Sequence, residues 1–507
     1  MLKYKILSLA FCFCFLVSLM GCGSKTDKAY IYFELPEIPS TVDPQTAKTD
    51  AELIIVKNIF EGLMRKDENG KTVFGAAESV TQEGLIYTFT LRDGITWDND
   101  TAVTADDFVF GIRRALDPDT KSPFASRLFS IKNAKSVNSG QTSAENLGVT
   151  AIDDKTVKIT LDYADYKFLD TLTTSVAMPC NEKFFLESKG KYGLFRENII
   201  SNGSYRLTKW NKESFGIRLY KNEEYNGDFK AKNAAVFLTC NPETAVTEKL
   251  RDGNIDIAFI KTAERDSMEE KGFKTENFET TCWIMTFSDD LNLTMRTALL
   301  KLVGAEVYNN NLHSGYSPAD SLFPDILNVN ADSSGIISYN LEEGKNLYSS
   351  EIKSYPDKKF PSDIVLKYYD NGYIKNTVTD IVGHWQSHLS AFINIEAVDS
   401  PDVLLPQLKK QTQTIAIFPV SADGDHLEEY LENFGIKYNG ESVSEIQENL
   451  LKSNNMTPIV FEDTTVCYSP QIKEISVGAG NGFFDFSFVV YEENYNSIMG
   501  DVQSSFI

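Results

Sequence analysis

Two histidines four residues apart are the first side chains whose spacing could do chemistry. They lie in Gly383-His384-Trp385-Gln386-Ser387-His388-Leu389. On a helix His384 and His388 share a face and could grip a metal ion from two points. A zinc peptidase needs a glutamate directly after the first histidine, and Trp385 stands there. Trp385 and Leu389 are also four apart and suit the buried stripe of an amphipathic helix, which leaves the histidines solvated. His384 and His388 therefore stay weak metal candidates, and no cofactor is expected. Other catalytic signatures are missing: there is no Gly-x-Ser-x-Gly, no phosphate-binding loop and no Gly-x-Gly-x-x-Gly opening a helix. With four histidines in 507 residues, acid–base work would fall to carboxylates. A paired-carboxylate glycosidase is the main enzyme alternative, and no catalytic residue is assigned.

The elements that must position such groups read as mixed strand and helix. Tyr87, Phe89 and Leu91 alternate with polar residues, the period-2 pattern of a half-buried strand. Asp93-Gly94 is a hairpin-type pair, so Ile95 and Trp97 are expected to open a return strand. Thr104 can cap the free amides of a helix whose third position is Asp107, and Asp117-Pro118 should stop that helix. Val157, Ile159 and Leu161 write a further strand. Residues 342–349, 376–389 and 426–434 have helical composition, with strand-like 364–369 and 414–418 among them. The alternation points to an α/β or α+β chain, and the length to about three domains.

The formal net charge of -23 argues against a nucleic-acid partner, which needs a basic surface. Lys3 and Lys5 precede an apolar run, Ile6 to Leu19, too short for a comfortable membrane span and of the length of a secretory signal. It ends in Leu19-Met20-Gly21-Cys22, which resembles the bacterial lipobox, and Cys22 would then carry lipid on the mature N-terminus. Residues 1–22 are read as this leader, with 23–28 as a polar tether. Cys180, Cys240, Cys282 and Cys467 are widely spaced and lack metal-site spacing. Buried free thiols are the favoured reading, with one or two disulfides left open.

Longer stretches carry a family resemblance. Thr41-Val42-Asp43-Pro44, Asn58-Ile59-Phe60-Glu61-Gly62-Leu63 and the Asp67–Gly70 turn are one set. Residues 87–97 and 103–110 are the most specific set, and Asn202-Gly203-Ser204-Tyr205, Gly253-Asn254-Ile255-Asp256-Ile257 and Tyr468-Ser469-Pro470 continue it. Together they resemble bacterial extracellular solute-binding proteins of family 5, the oligopeptide-binding type, strongly in the first half and thinly after about residue 275.

The resemblance implies an α/β, periplasmic-binding-protein-like fold of two hinged lobes with an extra inserted domain. Lobe I would comprise 25–73, 200–275 and 470–507, the inserted domain 74–199, and lobe II 276–469. It implies a monomeric, lipid-anchored receptor on the extracytoplasmic face. This receptor would capture a peptide or related small solute and pass it to ABC permease subunits driven by cytoplasmic ATPases. The family's amine-binding aspartate falls on Asp423 within Val420-Ser421-Ala422-Asp423-Gly424-Asp425. Val420 and Gly424 replace the family's Trp and Tyr, and Asp425 is an alternative alignment. Ser421 and Ala422 flank the anchor, and Glu37 and Ile38 align with a ligand-facing segment. A surface lipoprotein without a transport role and a secreted hydrolase are the alternatives.

Overall fold

The computed structural model describes residues 30–492, except 212–215, 242–243, 288–289, 409–413, 425, 439, 454 and 479–483. The leader and Cys22 lie outside the described residues, as does Asp425. Among the described residues no helix is long and apolar enough to cross a membrane.

One large sheet runs through both halves of the molecule. Its order is Asn394–Val398, Val365–Tyr369, Thr414–Ser421, Lys274–Thr286, Met456–Tyr468, Ile257–Ile260, Tyr30–Glu34, Ala235–Thr239, Gly216–Lys221 and Tyr205–Asn211. Two 13-residue strands, Lys274–Thr286 and Met456–Tyr468, pair antiparallel along their length. At about 3.4 Å per residue each is roughly 40 Å long, enough to belong to both halves. The second strand's end, 465–468, pairs with Ile257–Ile260 in the near half. Residues 281–286 of the first pair with Thr414–Ser421 in the far half. Between these stretches the register shifts at Glu279/Thr281, where a bulge bends the ribbon.

In the far half the central strands of this sheet are buried on both faces, and strand alternation divides the core. Trp283, Met285, Ile415 and Ile417 pack on one side with the Lys375–Leu389 helix. Cys282, Ile284, Ala416 and Phe418 pack on the other. Trp385 is fully buried and its indole donates to the Leu299 carbonyl at 2.9 Å. His388 is exposed and His384 half-buried, as the amphipathic reading of that helix requires.

A second, four-stranded antiparallel sheet orders as Ala77–Glu83, Ile86–Leu91, Thr156–Thr160 and Val149–Asp153, against the Ala105–Leu116 helix. Here the expected return strand after Asp93-Gly94 does not form. Ile86–Leu91 is already paired on both edges, so no ladder position remains, and residues 95–103 loop back through a single Thr96/Ala102 bridge. Trp97, fully buried, plugs this loop instead, and its indole donates to Asp107 at 3.2 Å. Thr104 and Asp107 form the expected capping box: the Thr104 side chain accepts the Asp107 amide, and the Asp107 carboxylate accepts the Thr104 amide at 2.9 Å. The four cysteines at 180, 240, 282 and 467 are buried free thiols.

Candidate ligand-binding cleft

The near wall of the cleft is organised by the Asp50–Ile59 helix. Thr49 caps its N-terminus and Glu52 completes the capping box. Glu52 also accepts the amides of Ser40, Thr41 and Lys48. Burial would raise its carboxyl, but the hydrogen bonds from Ser40, Lys48 and Thr49 outweigh that and hold it below the usual range. One ionised side chain thus fixes both the helix start and the preceding loop, where Glu37 and Ile38 are exposed.

Behind this wall the motifs behave as joints. Asp43 accepts from Arg114 of the Ala105–Leu116 helix at 2.9 Å, and Gln45 accepts from the same guanidinium at 2.7 Å. The Val42 amide donates to Gly193, whose φ of +71° and contact with Asp43 leave no room for a Cβ. Asn202 clamps the Glu61 backbone from both sides, at 3.0 and 2.9 Å. Arg65 donates to Glu61 at 3.0 Å, pairs with Asp485 and stacks 4.1 Å over Phe229. The signature that betrays the family in the sequence is therefore mostly the stitching between segments distant along the chain.

The cleft itself is built from other residues. Asp423, at the end of the Thr414–Ser421 strand, pairs with Arg127 at 2.8 Å. Arg127 also makes a two-pronged pair with Glu429, at 2.6 and 2.7 Å, and lies 4.1 Å over the Phe124 ring. Arg127 stands beside the smaller sheet, whereas Asp423 and Glu429 belong to the far half, so this ion triad ties the halves together. The Arg127 side chain is only 7% exposed, so its charge depends on these two carboxylates for compensation. Asp50 lies close to Asp423. It keeps an exposed surface, yet burial first, then the charges of Asp423 and Glu37, push its carboxyl up to about 6. Three carboxylates from three segments thus converge, with excess negative charge that a cation would relieve.

Next to them is a cavity of about 440 Å³, lined by Lys57, Ser175, Arg127, Asp423 and His426 among others. The sequence-predicted residues divide on this geometry. Asp423 reaches the cavity, whereas Ala422 is buried and its amide donates to Thr280 at 2.8 Å. Ser421 is exposed and its hydroxyl meets Thr281 at 2.9 Å. The His384 and His388 rings lie 4.2 Å apart, tilted by 42°, and Tyr339 bonds the first at 3.2 Å. Among the described residues no group of three or more potential ligands could hold a metal ion. Arg127, Asp50 and Lys57 were not legible as site residues. A lone arginine in Ser122-Pro123-Phe124-Ala125-Ser126-Arg127 and two charges seven apart on a helix carry no pattern that distinguishes them.

Two halves joined by long shared strands, with a charged cleft between them, define the class of a hinged two-lobe binding protein. The family model "Bacterial extracellular solute-binding proteins, family 5 Middle" matches residues 71–442. The chain belongs to this family, whose members bind solutes and are not enzymes. It is 30% identical over 269 residues to the oligopeptide-binding protein OppA of Bacillus subtilis, covering 50% of this chain and 49% of that one. To the periplasmic murein peptide-binding protein MppA of Escherichia coli it is 36% identical over 235 residues, or 46% and 43% of the two chains. The matches span about half the length of these curated relatives or less. Among solved structures, OppA of Listeria monocytogenes bound to peptide superimposes with a TM-score of 0.70 at 18% identity, covering 92% of this chain and all of that one. The unliganded open form of MppA gives 0.69 at 21%, covering 92% and 98%. At such identity these two show the fold: mixed α/β and two-lobed.

Proposed function

We propose that this chain is the receptor of an ABC importer, capturing a peptide or similar amine-bearing solute between its lobes and delivering it to permease subunits. The observation that carries the reading is the convergence of Asp423, Asp50 and Glu37. A peptide amine entering among them removes a repulsion and gains charge-assisted hydrogen bonds, so the ligand interacts differently with closed and open forms, as closure demands. Arg127 remains neutralised by Glu429 if Asp423 turns to the amine. The peptide-binding relatives favour the same ligand class. Lobe I at 25–73, 200–275 and 470–507, an inserted domain at 74–199 and lobe II at 276–469 form the working parts of this reading. A lipid on Cys22 anchors the monomeric receptor to the extracytoplasmic face.

The test is native mass spectrometry of freshly purified protein, then calorimetric titration with a pool of random di- to pentapeptides. Retention of peptide mass and saturable, unhydrolysed binding are expected. A protein that ignores every peptide while binding sugars, or that hydrolyses either, would overturn the reading.

A further inference from the structure

The cavity beside the carboxylates holds a second, oppositely charged feature. Lys57 lines it from the last turn of the Asp50–Ile59 helix and makes no ion pair or hydrogen bond among the described residues. Several of the surrounding polar groups are already engaged, while Glu68 and Asn69 sit at its exposed rim. Lys66 pairs with Asp170 at 2.6 Å, and the Thr173 and Thr174 hydroxyls donate to backbone carbonyls at 2.8 and 2.6 Å. Arg127 is taken by Asp423 and Glu429. Ser175 differs in being buried: it borders the same cavity, is 7% exposed, and its hydroxyl has no hydrogen-bond partner among the described residues. A buried hydroxyl left without a partner is costly, and proteins ordinarily avoid it; the half-buried Lys57 ammonium beside it is the nearest unpaired cation among the described residues.

We propose that Lys57 and Ser175 form an anion subsite that receives a carboxylate of the ligand, the C-terminal one if the ligand is a short peptide. Asp50 and Lys57 are seven residues apart on one helix, about 10 Å along its axis. An extended chain of three residues spans about 10 Å. A zwitterion of about that length can place its amine at the acidic end and its carboxylate at the basic end. Lys57 also has the electrostatics of a waiting donor. Burial chiefly, and the charges of Arg65 and Lys66, lower its ammonium to about 8 against partial support from Asp485 and Glu61. It remains largely protonated at neutral pH and gains most from an incoming anion.

The length and polarity of the ligand rest on the receptor reading above; the subsite itself does not. The experiment compares wild type with Lys57→Met, using a tripeptide pool with free C-termini, the same pool amidated, and N-acetyl-alanine, a carboxylate without an amine. Wild type is expected to prefer the acid pool over the amide pool by about tenfold or more and to be thermally stabilised by N-acetyl-alanine. Lys57→Met should abolish both effects while melting no lower than wild type, because it removes an uncompensated charge. A wild type blind to both pools yet stabilised by N-acetyl-alanine through Lys57 would end the peptide reading and keep the subsite. Equal binding of acid and amide, a preference that survives Lys57→Met, or no response to any of the three probes would overturn it.

Discussion

Arg65 is a buried cation and Lys57 a half-buried one in neighbouring parts of the same half, and their surroundings differ. Arg65 is held by two carboxylates, a tyrosine hydroxyl and an aromatic face. Lys57 borders a cavity and makes no direct ion pair or hydrogen bond among the described residues. The contrast separates the charges that hold this fold together from those kept available. A joint has its charge balance built in, whereas a binding wall leaves part of it to be supplied by the ligand.

The largest effect should come from breaking a joint. Arg65→Met leaves Glu61 and Asp485 buried without their cation and should destabilise by about 3–5 kcal/mol, read by urea denaturation. A loss no larger than that of Lys57→Met would erase the distinction. Next, Asp423→Ala on the cleft side should weaken peptide binding by about tenfold or more while leaving the melting temperature within a few degrees, since Glu429 still holds Arg127. Unchanged affinity in calorimetry would remove Asp423 from the anchor.

A smaller effect follows from Asp50. Its carboxyl is raised to about 6 by burial and by Asp423 and Glu37, so a cation binds best to the ionised form above that value. Affinity for an amine should fall several-fold between about pH 7 and 5, and Asp50→Asn should flatten the profile. The smallest concerns the hinge. Glu279 lies at the register shift among Asp325, Asp463 and Asp320, and burial first, opposed by the Asp325 amide, then these charges raise it to about 7. The folded state holds that proton more tightly than the unfolded chain. Glu279 therefore supports folding below about pH 4.5, and this support is lost as the pH rises through about 7. Glu279→Gln, which can keep the bond from the Asp325 amide, should melt higher than wild type at pH 8 and alike at pH 4. Equal shifts at both would show that the charge is irrelevant.

The near half was legible because its signals are local or joined. The alternation of 86–91, the helix after Thr104 and the Asp117 stop are short-range consequences of burial and backbone geometry, and the structure reproduces them. Asp93-Gly94 misled because turn chemistry specifies a reversal but not whether the next strand finds a free edge. That edge was occupied by 156–160, a competitor about 65 residues away. The far half offered little spelling, since central strands buried on both faces accept many apolar sequences.

The chain by itself determined where strands and helices arise, that the surface is acidic, and which motifs identify the family, because these depend on neighbours along the sequence. Only the tertiary structure decided that Asp43, Glu61 and Asn202 stitch while Asp50, Lys57, Arg127 and Asp423 face a cleft. The physical reason is that a side chain's charge takes its role from the partners and the water around it. Those partners come from segments tens to hundreds of residues away.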